Sequence, residues 1–240
     1  MIFIKAIIIF LVVYTLASGA RFWFYLSRTW ALIEVTPAKN YIIEGDSKKL
    51  IVTVLGDSAS VGTGASDYTK TYHYQVLERH KDTYSFDVEN KGIVGARVGD
   101  LMSQITEMRD SDLAIISIGG NNVTHATRWS SFERDLQNAL DAVSKKTKRI
   151  VLLTPGDLGD VLNMPYPVRK FWSRGSSQLG GHVSSVIKDM PNVTYVNMYA
   201  VDEGHFQNEP DIYYANDRFH PSDAGYKLWA DAIDAKIIFE

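Results

Sequence analysis

The 240-residue sequence lacks cysteine, which excludes disulfides, thiolate catalysis and thiolate metal sites. It also lacks a dominant charge: the formal net charge of -3 gives no electrostatic basis for binding nucleic acid. The histidines stand in no metal-ligating pattern such as His-Glu-x-x-His, so we expect neither a metal nor another cofactor. The Gly-Lys-Ser/Thr signature of a phosphate loop and the Gly-x-Ser-x-Gly elbow of α/β-hydrolases are absent as well.

One long apolar run is present, at the N-terminus. The stretch Ala6 to Ala20 carries no charge, follows Lys5 and precedes Arg21 and the aromatic residues 22–25. This pattern predicts that residues 1–30 form a membrane anchor or a signal segment, and we favour the anchor because ~20 apolar residues cross the hydrocarbon core. An anchor would leave the folded domain extracytoplasmic, whereas cleavage after Ala20 would give a secreted or periplasmic protein. A third alternative is a buried helix of the globular core.

Residues 31–40 are predicted to form a linker, because polar residues and a proline replace the apolar run there. From residue 41 to 240, short β-branched runs alternate with longer segments of helical period, as in parallel strands joined by crossover helices. The fold class is therefore α/β, a three-layer α/β/α sandwich with a five-stranded, mostly parallel sheet. Strands are predicted at 50–55, 84–88, 113–118, 149–153 and 193–196, and helices at 69–80, 98–109, 130–146, 178–189 and 222–236.

Such a fold binds ligands at the carboxyl ends of its strands, and polar, glycine-rich text follows the first four predicted strands. The segments in question are Gly56-Asp57-Ser58, Asn90 to Gly95, Gly119-Gly120-Asn121-Asn122 and residues 154–157. Gly56-Asp57-Ser58 alone is weak, since such a turn also starts a helix with a capping side chain.

A C-terminal cluster strengthens the case that this serine is catalytic, because Asp217 and His220 lie three residues apart there, just before a predicted helix. A serine hydroxyl needs a neutral imidazole to take its proton and a carboxylate to orient that imidazole. Acyl transfer also needs donors for the developing oxyanion, which the Gly95 amide and the Asn121 side chain could supply.

These four segments, Gly56 to Ser58, Asn90 to Gly95, Gly119 to Asn122 and Asp217 to Pro221, resemble the conserved blocks of the SGNH (GDSL-like) hydrolases, in order and across about Leu50 to Ile237. The resemblance implies the flavodoxin-like fold of that family. It also implies that Ser58 is the nucleophile, His220 the general base and acid, and Asp217 its orienting carboxylate. The implied oxyanion donors are the Ser58 amide, Gly95 and Asn121.

Several positions remain open at this stage. The family's third block usually ends in Asp, where this sequence has Asn122, and we expect the loss of a supporting hydrogen bond rather than of activity. Gly92 is an alternative donor to Gly95. Asp57 could be taken for the triad acid, but a helix cap is the plainer interpretation. The segment 158–174 is long and aromatic and is expected to be a functional loop, either a wall of the pocket or a surface excursion held by Phe171 and Trp172.

The sequence therefore predicts a carboxylic ester hydrolase that works through an acyl-enzyme on Ser58. The expected substrate is a small acyl ester, a lipid or an acylated glycan. The alternatives are an acyltransferase with the same triad, a deacetylase of acylated glycans, and a non-catalytic, membrane-tethered binding module. The sequence says nothing about oligomeric state.

Overall fold

The computed structural model describes residues 2–31, 38–45 and 48–237. The strands are β1 (Tyr41–Ile43), β2 (Lys48–Gly56), β3 (Tyr84–Asn90), β4 (Ser111–Ser117), β5 (Thr147–Thr154) and β6 (Val193–Asn197). The longer helices are α1 (Ile2–Ala31), α3 (Tyr72–Glu78), α4 (Leu101–Glu107), α6 (Trp129–Val143), α7 (Tyr166–Ile187) and α11 (Asp223–Asp234). Short helices occupy α2 (Ser58–Val61), α5 (Gly120–Thr124), α8 (Met198–Val201), α9 (His205–Asn208) and α10 (Pro210–Tyr213).

In the described part of the chain the strands form one six-stranded sheet in the order β1-β3-β2-β4-β5-β6. All neighbouring strands are parallel except β1, which pairs antiparallel with β3 at the edge. The order places β2 and β4 side by side in the middle, with Gly56 opposite Ser117 at their carboxyl ends. The segments that follow these strands therefore meet on one edge of the sheet.

Helices cover both faces of the sheet, which explains why the residues of its central strands are nearly all apolar. Along β4, Leu113 and Ile115 point into a core shared with α3 and α11, while Ala114 and Ile116 point into a core shared with α4, α6 and α7. The three-layer α/β/α architecture expected from the sequence is confirmed.

Two details differ from the sequence-based expectation. The sheet has six strands rather than five, because the three-residue edge strand β1 is too short to show a hydrophobic period. The second half of the expected 158–174 loop is helical: α7 begins at Tyr166 behind Pro165, and Phe171 is 54 % exposed rather than buried in the core. A proline just before the first turn is compatible with a helix, so it marks a helix start here instead of a break.

The N-terminal segment forms helix α1, whose described apolar side chains, Ile7 to Leu16 among them, are exposed. No helix in the part of the chain that the structure describes is long and apolar enough to cross a membrane. Residues 32–37 of the expected linker lie outside the described residues, and residues 38–40 lead directly into β1.

The conformation of Gly56, the last residue of β2, predicts that stability is sensitive to substitution there. Gly56 has a φ of +128°, and a Cβ there would lie 2.0 Å from the Ser117 carbonyl oxygen. Gly56→Ala should therefore lower the free energy of unfolding by about 3 kcal/mol in a denaturant titration. The matched control is Gly181→Ala in α7, where a Cβ meets nothing within 4 Å. This control should stabilise the protein by up to about 1 kcal/mol, and equal effects of the two substitutions would contradict the assignment of strain to Gly56.

Candidate active site

Ser58 is the first residue of α2, directly after the carboxyl end of β2. Asp57 caps this helix, as its Oδ1 accepts a hydrogen bond from the Ala59 amide at 3.0 Å. The Gln104 side chain binds both main-chain groups of Gly56: Oε1 accepts from the N–H at 2.8 Å, and Nε2 donates to the carbonyl at 2.9 Å. The turn that presents Ser58 is thus held on both sides.

A second turn, residues 214–221, carries Asp217 and His220. Tyr214 and Pro221 form an antiparallel bridge at its base. Asp217 Oδ1 accepts hydrogen bonds from the amides of Phe219 and His220, both at 2.9 Å. One carboxylate oxygen therefore organises the turn, and the other is left to face the imidazole.

The two turns bring together the three residues predicted to form a triad. His220 Nδ1 lies 2.6 Å from Asp217 Oδ2, and His220 Nε2 lies 2.8 Å from Ser58 Oγ. All three residues are buried. The Asp–His–Ser chain of hydrogen bonds connects positions 162 residues apart in sequence.

The electrostatics fix the direction of these hydrogen bonds. Burial by itself raises the pKa of Asp217, but hydrogen bonds from the side chain and amide of His220 and from the Phe219 amide outweigh it and hold the pKa below its ordinary value. The carboxylate is ionised at neutral pH and accepts the Nδ1 proton of His220. The lone pair on Nε2 then faces Ser58, so the serine hydroxyl donates to it and its proton can pass to the imidazole.

The two main-chain amides that are predicted oxyanion donors have no acceptor in the described part of the protein. Among the described residues, the amides of Ser58 and Gly95 donate to no acceptor. Asn121 Nδ2 donates one proton to the Ala96 carbonyl at 3.0 Å, and its second proton is left for a ligand. Ser58 and Asn121 line one cavity, although Gly95 is not among its lining residues.

Gly92, the alternative donor, is already engaged, because its amide donates to Asn90 Oδ1 at 2.9 Å. Gly95 is therefore the better candidate of the two.

The cavity beside Ser58 has a volume of about 70 Å³. Its walls come from the ends of β4 and β5, from the 214–221 turn and from α9 and α11. The residues that line it are Asp57, Ser58, Ala59, Ser117, Gly120, Asn121, Pro155, Gly156, Asp157, Leu158, Asp202, Phe206, Tyr214, Phe219, His220, Pro221 and Trp229. The expected contribution of the segment after β5 to a pocket wall is met by Leu158, whereas Phe171 and Trp172 lie elsewhere.

Asn122 stands where the resembled family usually has Asp, and its side chain makes two hydrogen bonds. Its Oδ1 accepts from the Val98 amide at 3.0 Å, and its Nδ2 donates to Thr127 Oγ1 at 3.3 Å. An amide oxygen accepts from a main-chain N–H as a carboxylate would, and its NH₂ group adds a donor. Asn122 therefore ties the segment after β4 to the start of the segment that leads into α4.

A buried polar group behind the serine was not foreseen. The Ser60 carbonyl, in α2, accepts hydrogen bonds from Asn90 Nδ2 at 2.7 Å and from His73 Nε2 at 3.1 Å. Because a carbonyl only accepts, the His73 proton is on Nε2, and Nδ1 accepts from the Tyr41 hydroxyl at 2.7 Å. Edge strand β1 is thereby connected through one histidine to the helix that carries Ser58.

Gln104 was missed too, although the sequence holds a signal for it. It lies between Leu101 and Ile105 on the buried face of α4, where a polar side chain needs a partner. The partner, Gly56, is 48 positions away, and no sequence period identifies it.

A comparison with known protein families decides the affiliation. The model of the GDSL-like lipase/acylhydrolase family matches residues 54–228, which include all four sequence blocks. The chain belongs to this family. The resemblance drawn from the four blocks is thereby confirmed.

Individual relatives of this GDSL-like chain are distant in sequence. A GDSL-like esterase of Mycobacterium tuberculosis is 24 % identical over 191 residues, covering 75 % of this chain and 59 % of that protein. The chain thus matches less than two thirds of the length of this relative.

Solved structures share the fold. An acetylxylan esterase from Geobacillus stearothermophilus superposes with a TM-score of 0.59 at 25 % identity, over 82 % of this chain and 96 % of that one. A family 3 carbohydrate esterase of Clostridium thermocellum, at 16 % identity, gives a TM-score of 0.61 over 79 % of this chain and 95 % of the other.

The buried His73 predicts a pH dependence of stability. Burial lowers the pKa of His73 from 6.5 to about 4. As the pH falls from 6.5 to 4, the histidine is therefore protonated in the unfolded chain but still neutral in the folded protein. The contribution of His73 to stability should be present above pH 6.5 and should fall as the pH drops towards 4, by up to about 1.4 kcal/mol per pH unit.

The measurement is denaturant unfolding from pH 8 to pH 4 for the wild type and for His73→Gln, which keeps a donor but does not titrate. The wild type should lose stability relative to this variant as the pH falls. Parallel curves would contradict the prediction, and the exposed His125→Gln controls for the loss of a histidine.

Proposed function

We propose that this protein is a serine carboxylic ester hydrolase with Ser58 as nucleophile. The observation that carries the proposal is the buried chain of hydrogen bonds from Asp217 through His220 to Ser58. Membership of a family of lipases and acylhydrolases supports the reaction class.

In the proposed mechanism, Ser58 Oγ attacks the ester carbonyl carbon while its proton moves to His220 Nε2. The imidazolium is stabilised by the ionised Asp217. The carbonyl oxygen becomes an oxyanion, which the amides of Ser58 and Gly95 and the Asn121 side chain bind. The tetrahedral adduct expels the alcohol, which takes the proton from His220, and an acyl ester of Ser58 remains. Water, deprotonated by His220, then releases the carboxylic acid and restores the serine.

The size of the cavity favours a short acyl group. At ~10–15 Å³ for each water-sized site, about 70 Å³ holds roughly five to seven such sites, enough for an acetyl or similar group. Acetylated carbohydrate is the substrate that the name of one structural neighbour, an acetylxylan esterase, suggests. We therefore propose short-chain esters, including O-acetylated glycans, as the substrate class.

The triad makes a direct prediction. Ser58→Ala and His220→Ala should each lower turnover of 4-nitrophenyl acetate by at least about 10⁴-fold, because the nucleophile or its base is lost. Asn121→Ala should lower kcat by about 10²–10³-fold and still allow Ser58 to react with a fluorophosphonate, since it removes one oxyanion donor only.

His205→Ala is the matched control, because His205 also follows an aspartate, Asp202, by three residues but contacts no part of the triad. It should retain wild-type turnover. Native circular dichroism of all variants excludes unfolding as the cause of any loss. Turnover that survives in Ser58→Ala would overturn the mechanism, and ester products formed with an added acceptor alcohol would identify a transferase.

We further propose that α1 directs the protein to a membrane, with the catalytic domain outside the cytoplasm. Side chains around the helix, such as Ile8, Ile9, Phe10 and Val12, are exposed to solvent. Transfer of a helix that exposes apolar side chains at successive positions from water into lipid lowers its free energy.

The full-length chain should float with phosphatidylcholine vesicles in a density gradient. Ile9→Lys combined with Val12→Lys should abolish flotation and leave the hydrolysis of 4-nitrophenyl acetate unchanged, because two charges are introduced into the apolar face. A wild-type chain that remains in the bottom fraction would contradict the proposal.

A further inference from the structure

A broad, open cleft of about 730 Å³ adjoins the cavity at Ser58. One side is the first half of α7 and the other is the segment 199–207. Asp157 and Asp202 line both the cavity and the cleft, so the two spaces share a wall. The proposed mechanism does not use this cleft.

The cleft contains a carboxylate without a partner. Asp160 is only 8 % exposed, yet its side chain accepts no hydrogen bond from any described residue. Its neighbour Asp157 is fully engaged, with Oδ1 accepting from the Gly159 amide at 2.8 Å and Oδ2 from Ser173 Oγ at 2.6 Å. A carboxylate that lines a cleft and accepts from no protein donor has acceptor capacity left for a ligand.

The environment of Asp160 shows why such a donor would be favourable. Burial, together with the nearby carboxylates of Asp157 and Asp202, raises the pKa of Asp160 to about 6. Arg169 is the nearest cation, but its Nε donates to the Gly159 carbonyl at 2.7 Å rather than to the carboxylate. The carboxylate therefore keeps its acceptor capacity at neutral pH.

The other lining groups define the chemistry of the ligand. The cleft carries charges of both signs: the acids Asp157, Asp160, Asp202 and Glu203, and the cations Arg169, Lys170 and Arg174. A strongly cationic or anionic ligand would meet like charges on one wall. The described residues also contain no His, Cys, Asp or Glu group that could hold a metal ion. Donors, acceptors and the ring of Tyr166, which is 71 % exposed, suit a neutral polyol with an apolar ring face.

We propose that this cleft binds the saccharide portion of an O-acylated glycan, with Asp160 accepting a sugar hydroxyl and Tyr166 packing against the ring. This proposal rests on the proposed ester hydrolysis, because it assigns the alcohol side of the same substrate. The acyl group enters the cavity at Ser58, and the sugar lies across the shared wall formed by Asp157 and Asp202.

The test compares two esters with the same acyl group, 4-nitrophenyl acetate and an O-acetylated xylo-oligosaccharide. Asp160→Ala and Tyr166→Ala should each raise KM for the acetylated oligosaccharide about tenfold, as expected for the loss of one contact of ~1.4 kcal/mol. Neither variant should change hydrolysis of 4-nitrophenyl acetate. Phe171→Ala, an exposed aromatic residue on the same helix that does not line the cleft, is the matched control and should leave both substrates unaffected.

A second measurement does not depend on activity. Calorimetric titration of Ser58→Ala protein with unacetylated xylo-oligosaccharide should show binding that Asp160→Ala and Tyr166→Ala weaken about tenfold. Wild-type turnover of 4-nitrophenyl acetate without such binding would overturn the saccharide cleft and leave the esterase standing. No turnover of either ester would overturn the proposed function instead. Variants that impair both esters equally would also contradict a role confined to the alcohol side.

Discussion

The hydrogen bond between Ser58 and His220 is the contact on which the arrangement of this site depends, because it joins the start of α2, after β2, to the turn before α11. It forms only if the 214–221 turn docks at the carboxyl edge of the sheet, beside the end of β2. The parallel register that sets Gly56 opposite Ser117 provides that edge. Hydrophobic burial on both faces stabilises the sheet, but burial has no direction and cannot by itself fix two side chains to within a hydrogen bond. That precision comes from polar contacts.

These polar contacts form a set in which each buried group has a specific partner. Gln104 satisfies both main-chain groups of Gly56, Asn90 and His73 satisfy the Ser60 carbonyl, and Asn122 ties the segment after β4 to Val98. In an interior of low dielectric constant an unpaired polar group costs more than a paired one contributes, so each partner strongly favours one position of the loop it holds. The apolar core thus sets the architecture, and the network sets the geometry of the serine.

The sequence predicted the parts of this structure that follow from local pattern. The alternation of buried strands with helices gave the α/β class, and Ser58, Asp217 and His220 could be paired because their spacing matches a known chemistry. Partners fixed only by tertiary contact were out of reach. Gln104 and His73 bind main-chain atoms, which every residue has, so the type of the partner residue does not reveal these contacts. Strand β1 was missed because it is only three residues long. The helical start at Tyr166 was hidden by Pro165, which signals a break as readily as a beginning. At position 122, the family pattern did not indicate the partners of the amide, which binds Val98 and Thr127.

The two spaces beside Ser58 differ in a way that fits the two halves of the proposed reaction. The acyl group stays bound to Ser58 from acylation until water attacks it. The small cavity must therefore hold the acyl group and also admit that water. The alcohol, in contrast, must leave after the first step. Contacts to it contribute to acylation and then slow turnover if they are too strong. An open, polar cleft that carries charges of both signs binds an alcohol through exchangeable hydrogen bonds and also admits the water that replaces it. Asp157 and Asp202, which border both spaces, separate the part of the site that retains its ligand from the part that must release it.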